Sequence, residues 1–267
     1  MSESNTWTIR DFPERIVCLV EEPTEILYEL GEEERIVGIS AYTVRPERAA
    51  DEKPVVSAFI GGSTDKIRDL EPDLIIGFSD IQAELARELI EDHQQVLIFN
   101  QRTLQEILDV VVAVGRLVGK ADDARDLVRG YIERLEAAAR RTRQMENRPK
   151  VYFEEWPDPT ISGIRWVSQL VELAGGVDIF AEQSAGQGAE DRKVDHTDVI
   201  EAKPDIIIGS WCGKPVDKDD IRNRDGYETI PAVRNDRIHE IDSSLILQPG
   251  PAALTDGLEL LEEIIRG

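Results

Sequence analysis

The stretches EPDLIIGFSD (residues 71–80) and KPDIIIGSWC (residues 203–212) share one pattern. Each has Pro-Asp, three branched aliphatic residues and a glycine, followed one or two positions later by an aromatic residue. Such continuous aliphatic runs indicate strands of a parallel sheet that is covered on both faces. Their recurrence at equivalent places in the two halves of a 267-residue chain predicts two similar α/β lobes. The alternative is one doubly wound sheet with a chance repeat.

Strand and helix patterns alternate around each stretch, whereas residues 103–148 show no strand pattern. The predicted strands are 15–20, 35–39, 72–78 and 95–100 in the first half, and 150–155, 204–210 and 237–241 in the second. The predicted fold class is therefore α/β, with two Rossmann-like lobes of parallel strands joined by a single long α-helix and a ligand cleft between the lobes. The predicted bounds are 1–118 for the first lobe, 119–148 for the linking helix and 149–267 for the second lobe.

The net charge of −23 at pH 7 argues against binding to nucleic acid, because acidic residues spread along the chain repel phosphates. Hydrophobic residues make up 41% of the chain, yet no apolar run is long enough for a membrane span. The first fifteen residues, MSESNTWTIRDFPER, lack the pattern of a secretory signal. We therefore expect a cytoplasmic protein, or a periplasmic or cell-surface one if a leader has been removed.

Aromatic residues follow several predicted strands, although only 6% of the chain is aromatic. In open parallel sheets, ligands bind beyond the carboxyl ends of the strands. We expect five aromatic side chains to line the cleft: Tyr42, Phe59, Phe78, Trp156 and Trp211. Each ring that loses about 100 Å² of contact with water contributes about 2.5 kcal/mol, so several rings suit a large ligand with an apolar face. The alternative is that some of the rings pack into the core.

Residue patterns of catalysis are weak in this sequence. It contains no nucleophile elbow, P-loop or dinucleotide-binding glycine motif, and its three histidines lack the spacing of metal ligands. Four glutamates near strand ends are candidates for an acid–base pair or for contact with a ligand amide: Glu21, Glu22, Glu154 and Glu155. We expect a non-enzymatic protein without catalytic residues, a metal site or a catalytic cofactor.

Several segments resemble the class III periplasmic binding proteins of ABC importers, and in particular their cobalamin-binding branch. The resemblance extends from about Pro13 to Ile265 and also includes the two Pro-Asp strands. Its other carriers are RIVCLVEEPTEILYELG (15–31), SQLVELAGGVDIF (168–180) and IPAVRNDRIHEIDSSLILQPGP (230–251). It implies two lobes with one connecting helix, and a cleft that binds one small molecule, here a corrinoid such as cobalamin.

The resemblance also implies roles for individual residues. Phe59 and Phe78 match cleft aromatics of the cobalamin branch, and Trp156 lies on the opposing rim. Gln248 and Pro249 belong to the loop LQPGP (247–251) on the same rim. The resemblance places Glu84 where the family docks on its ABC permease. We expect the protein to be a monomer.

Two alternatives remain open at this stage. An iron-siderophore or haem binder needs positive side chains for an anionic chelate, and the candidates are Arg45, Arg165 and Arg192. A nitrogenase-like or chelatase-type enzyme needs a set of histidines or carboxylates around a metal, for which the sequence offers little.

Overall fold

The computed structural model of the chain describes residues 9–58, 60–186 and 188–267. These residues divide into two compact units. Unit 1 comprises the described residues up to Asn100 together with Val110–Asp126, and unit 2 comprises Gln101–Asp109 and Leu127–Gly267. Two long helices, Leu104–Leu117 and Ala121–Thr142, each contribute residues to both units.

Among the described residues of unit 1, five strands form a parallel sheet in the order β3-β2-β1-β4-β5. The strands are β1 (Ile16–Cys18), β2 (Ile36–Ser40), β3 (Val55–Ser57), β4 (Leu74–Phe78) and β5 (Val96–Phe99). The helices are α1 (Glu21–Glu29), α2 (Ala49–Glu52), α3 (Thr64–Asp69) and α4 (Ala83–Glu91), followed by the shared helices α5 (Leu104–Leu117) and α6 (Ala121–Thr142). Val17, Leu19, Ile67 and Ile75 are fully buried in the core between sheet and helices.

The sheet of unit 2 has the order β10-β9-β6-β7, and β8 pairs with the start of β6. Its strands are β6 (Lys150–Pro157), β7 (Thr160–Ser162), β8 (Val177–Asp178), β9 (Ile206–Gly209) and β10 (Ile238–Glu240). The helices of the described part are α7 (Arg165–Ala174), α8 (His196–Ala202), α9 (Lys218–Arg222), α10 (Pro231–Arg234), α11 (Ser243–Ile246) and α12 (Leu258–Arg266). A π-helical turn, Ala253–Gly257, leads into α12.

The predicted α/β architecture with two mainly parallel sheets is confirmed. One part of the prediction for unit 2 was wrong. The second lobe was predicted to contain only a strand at 150–155 at this point, but β6 continues to Pro157 and turns back into the antiparallel strand β7. Trp156 therefore pairs with Ile161 inside a hairpin instead of following a strand. The Asp158-Pro159 turn was visible in the sequence, but β7 has only three residues, too few for a periodic pattern.

The glycine of each repeated stretch is required by close packing. A Cβ atom at Gly77 in β4 would lie 2.5 Å from Oε1 of Gln82 and 2.8 Å from Cδ1 of Ile98. A Cβ atom at Gly209 in β9 would lie 2.7 Å from Cγ1 of Val216. In both units, a side chain from the segment after the strand, Gln82 or Val216, packs against this glycine, and a larger residue would collide with it.

Gly77→Ala and Gly209→Ala should each lower the free energy of unfolding by about 1–3 kcal/mol, the range for overpacking a well-filled site. Gly130→Ala is the matched control, because nothing lies within 4 Å of its added Cβ and the residue is inside α6. That substitution should stabilise the protein by up to about 1 kcal/mol through helix propensity. Thermal unfolding of the variants checks this order, and equal midpoints for all three would contradict it.

Candidate functional site

The carboxyl end of the sheet in unit 2 is organised around Glu154, which lies on β6 and has no exposed surface. Arg224 approaches it with both terminal nitrogens, Nη1 at 2.5 Å from Oε2 and Nη2 at 3.0 Å from Oε1. Tyr152 donates its hydroxyl to Oε2 at 3.0 Å, and Trp211 donates Nε1 to Oε1 at 3.1 Å. Both oxygens of the buried carboxylate are therefore satisfied, which a buried charge requires.

The same network continues from Arg224 toward α8 and α9. Arg224 also donates to Asp220 at 3.1 Å, and its guanidinium carbon lies 5.6 Å from the ring centre of Tyr227. The hydroxyl of Tyr227 is 2.9 Å from Nδ1 of His196. Burial raises the pKa of Tyr227 to about 12, so the phenol remains protonated near neutral pH. The ring of His196 is thus engaged by a neighbouring side chain.

Because side chains alternate along a strand, Glu155 points to the other face of β6. There it forms a second ion pair. Its partner Arg192 is 3% exposed and donates Nη1 to Oε2 at 2.5 Å and Nη2 to Oε1 at 2.9 Å. Nη1 of Arg192 also donates to the Ser162 carbonyl of β7 at 2.6 Å. Both glutamates at this strand end are therefore held by guanidinium groups in structural roles, where an acid–base function had been considered.

Trp156 and Trp211 lie on either side of one lysine. The Nζ atom of Lys214 is 4.2 Å from the ring centre of Trp156 and 4.9 Å from that of Trp211. Trp156 is half-buried, and its Nε1 donates to the Asp158 carbonyl at 2.9 Å, which fixes the plane of the ring. An ammonium over an indole face contributes about 0.5–2 kcal/mol, so the lysine and the rings stabilise one another.

Trp211 was expected to line the ligand cleft, but the structure buries its side chain. Its ring is only 5% exposed and packs in the core cluster of unit 2 beside Tyr152 and Val216. The sequence placed it two residues after the strand glycine, where an outward direction is as compatible with the pattern as an inward one. The hydrogen bond with Glu154 explains the inward direction, because the buried carboxylate requires a donor there.

In unit 1, the aromatic residues near strand ends differ in exposure. Phe78 is 6% exposed, and its amide donates to Oε1 of Gln82 at 3.0 Å. Tyr42 is 42% exposed on the segment after β2, so its ring is accessible to a ligand. Phe59 lies outside the described residues.

The remaining predicted site residues belong to two separate segments. Gln248 is half-buried, whereas Pro249 is buried and its carbonyl accepts a hydrogen bond from Gln101 Nε2 at 3.1 Å. Glu84 is exposed on α4 and forms an ion pair with Arg87, with 2.6 Å between Oε1 and Nη2.

The arginines considered for an anionic chelate have partners within the protein. Arg45 donates Nε to Glu25 at 2.8 Å, and Arg192 is paired with Glu155. Arg165 donates to the Ala181 carbonyl and to the Ser184 hydroxyl, both at 3.4 Å. Sequence reasoning missed Lys214 and Arg224. The available signal for Lys214 was its place in the loop that follows the second Pro-Asp strand, and Arg224 had none.

The carboxyl group of Glu22 is buried at the start of α1. Glu22 is 2% exposed, and within the described residues neither of its carboxylate oxygens has a hydrogen-bond partner. Burial, with a further contribution from the charge of Glu25, raises the pKa of Glu22 to about 7. The group therefore titrates in the physiological range.

Within the described residues, no group of three or more histidine, cysteine, aspartate or glutamate side chains is positioned to hold a metal ion. The helices of the described ranges also include none with the length and apolar character that a membrane crossing requires.

Comparison with known proteins places these features in context. A family model described as periplasmic binding protein matches residues 16–245. A vitamin B12-binding protein of Vibrio cholerae is 27% identical over 256 residues, which cover 92% of this chain and 87% of that protein. An uncharacterized ABC transporter substrate-binding lipoprotein of Bacillus subtilis is 24% identical over 267 residues, covering 97% of this chain and 82% of that protein.

Among solved structures, a periplasmic haem-binding protein from Roseiflexus in its apo form is similar, with a TM-score of 0.78 and 24% identity. The match covers 94% of this chain and 99% of that structure, so nearly the whole fold is shared.

Glu22→Gln should increase the free energy of unfolding at pH 8 by up to about 3 kcal/mol and leave it nearly unchanged at pH 4.5. The folded pKa of about 7 lies above the ordinary value of 4.5, so the folded state binds the proton more tightly. Burying the charged carboxylate lowers the free energy of unfolding. This loss is absent below pH 4.5, grows between pH 4.5 and 7, and is nearly constant above pH 7. Unfolding at both pH values measures the effect; Glu34→Gln, at an exposed position, is the control. An equal change at both pH values would refute the assignment.

Trp211→Ala should lower the free energy of unfolding by about 3–5 kcal/mol, because it empties a core site and removes one donor from Glu154. Trp211→Phe retains most of the ring volume and should cost less. Denaturant unfolding of both variants provides the measurement. An alanine variant as stable as the parent protein would show that the ring is not part of the core.

Proposed function

Because the chain belongs to the periplasmic binding protein family, we propose that it binds cobalamin or a related corrinoid as the substrate-binding component of an ABC importer. The observation that carries the proposal is the half-buried indole of Trp156 at the carboxyl end of β6. Its plane is fixed by the hydrogen bond to the Asp158 carbonyl, so the indole is held in one orientation for contact with a ligand. The similarity to vitamin B12-binding proteins over 92% of the chain supports the same ligand class.

The internal pairing of Arg45 and Arg192 favours a corrinoid over a polyanionic chelate. A corrinoid carries neutral amides around its ring, which need hydrogen-bonding groups and apolar faces more than a cluster of cations. Haem and ferric siderophores are the alternative ligands, since the fold is also shared with a haem-binding protein. A nitrogenase-like or chelatase-type enzyme is the alternative of another class, and the family assignment favours a binding role.

We also propose a location for the protein, a residue that contacts the permease and residues that contact the ligand. The Bacillus subtilis relative is a lipoprotein of an ABC transporter, which supports a periplasmic or cell-surface location over the cytoplasmic one expected from the sequence. Glu84 remains our candidate for contact with the permease, because its carboxylate is exposed on α4 and needs only to exchange Arg87 for another arginine. We propose that Trp156 and Gln248 of unit 2, both half-buried, contact the ligand. Tyr42 of unit 1 is a separate candidate, because its side chain is exposed.

Size-exclusion chromatography tests the ligand class directly. The purified protein is mixed separately with cyanocobalamin, dicyanocobinamide, haemin and a ferric hydroxamate siderophore, and each ligand is followed by its own absorbance. Co-elution of the corrinoids with the protein is expected. Co-elution of haemin or of the siderophore without either corrinoid would contradict the corrinoid assignment. If none of the four ligands co-elutes with the protein, the corrinoid, haem and siderophore assignments are all contradicted.

Trp156→Ala should weaken cyanocobalamin binding by roughly 1–3 kcal/mol, since it removes one stacking face. Trp156→Phe keeps a flat ring and should retain most of the affinity, which separates stacking from a general disturbance of the hairpin. Isothermal titration calorimetry measures both, with thermal unfolding as a check on the fold. Unchanged affinity in the folded alanine variant would remove Trp156 from the site.

A further inference from the structure

Lys214 is an exposed cation in a strongly acidic protein. Its side chain is exposed, and the described residues form no ion pair with it. The chain as a whole has a net charge of −23. The ammonium of Lys214 lies over the faces of Trp156 and Trp211.

The loop that carries Lys214 is anchored on both sides. The amide of Lys214 donates to the Trp211 carbonyl at 3.2 Å, and Gly213 adopts a φ of 72° that allows the chain to turn. On the far side, the amide of Val216 donates to Glu240 Oε1 at 2.9 Å. The position of the ammonium is therefore set by the fold as well as by the rings.

The neighbouring arginines are neutralised by glutamates, whereas Lys214 has no ion pair among the described residues. Arg192 and Arg224 are each bound by a buried or half-buried glutamate through two hydrogen bonds. An ammonium has three N–H donors, and contact with ring faces leaves donors available on its exposed side. A hydrogen bond between this ammonium and an anionic oxygen is stronger than a neutral one.

We propose that Lys214 is a specificity-determining residue that binds an anionic oxygen group carried at the edge of the macrocycle stacked on Trp156. The inference rests on the proposed function and deepens it by naming the ligand group that is recognised. In a complete cobalamin this group is the phosphodiester of the nucleotide loop, and in haem it is a propionate carboxylate. Both present the same chemistry to the lysine.

Two pairs of probes separate these sources. Dicyanocobinamide lacks the phosphodiester loop of cyanocobalamin, and the dimethyl ester of haemin lacks the two carboxylate charges of haemin. Dissociation constants for all four are measured by calorimetry with the parent protein, Lys214→Met and Lys214→Arg. Lys66→Met, at an exposed position on α3, changes the net charge equally and is the control.

Lys214→Met should weaken the anionic member of the bound pair by about 10-fold or more and the other member by less than about 2-fold. Lys214→Arg should restore most of the lost affinity, and Lys66→Met should change neither member. Raising the salt concentration should weaken the anionic probe in the parent protein more than in Lys214→Met.

Equal weakening of both members by Lys214→Met, or no weakening of the anionic one, would overturn the role of Lys214 while leaving the proposed function intact. If the parent protein binds none of the four probes, the proposed function is overturned and this inference with it.

Discussion

The buried ion pair between Glu154 and Arg224 is the interaction on which the strand end of unit 2 depends. A carboxylate with no exposed surface is tolerated only when its charge and both oxygens are satisfied, and here four hydrogen bonds do so. Removing one partner of such a pair typically costs about 3–5 kcal/mol, because the remaining charge stays buried. The requirement draws Trp211 inward, and the loop that follows Trp211 then positions Lys214.

Both units use the same packing device where their Pro-Asp strands end. The glycine of β4 accommodates Gln82, which also donates Nε2 to the Leu19 carbonyl at 3.2 Å, and the glycine of β9 accommodates Val216. A segment that folds tightly over the strand end keeps the carboxyl edge of the sheet rigid. Rigid strand ends position aromatic and polar groups more precisely than long free loops do, which suits a member of the periplasmic binding protein family.

The sequence predicted the elements with strong periodicity and missed what depends on tertiary contacts. The two Pro-Asp strands, the long helix and the parallel sheets follow from runs of aliphatic residues and from Gly and Pro at element ends. The strand β7 and the directions of Trp211 and Phe78 do not, because strand-end patterns do not distinguish an inward ring from an outward one. Arg224 was missed because its partner Glu154 lies 70 positions away in the sequence.

A crystal structure of the protein with bound cyanocobalamin tests the central claim most directly. The account predicts that one face of the corrin ring stacks on the indole of Trp156. A corrinoid bound at a surface that leaves this ring in contact with solvent would contradict it.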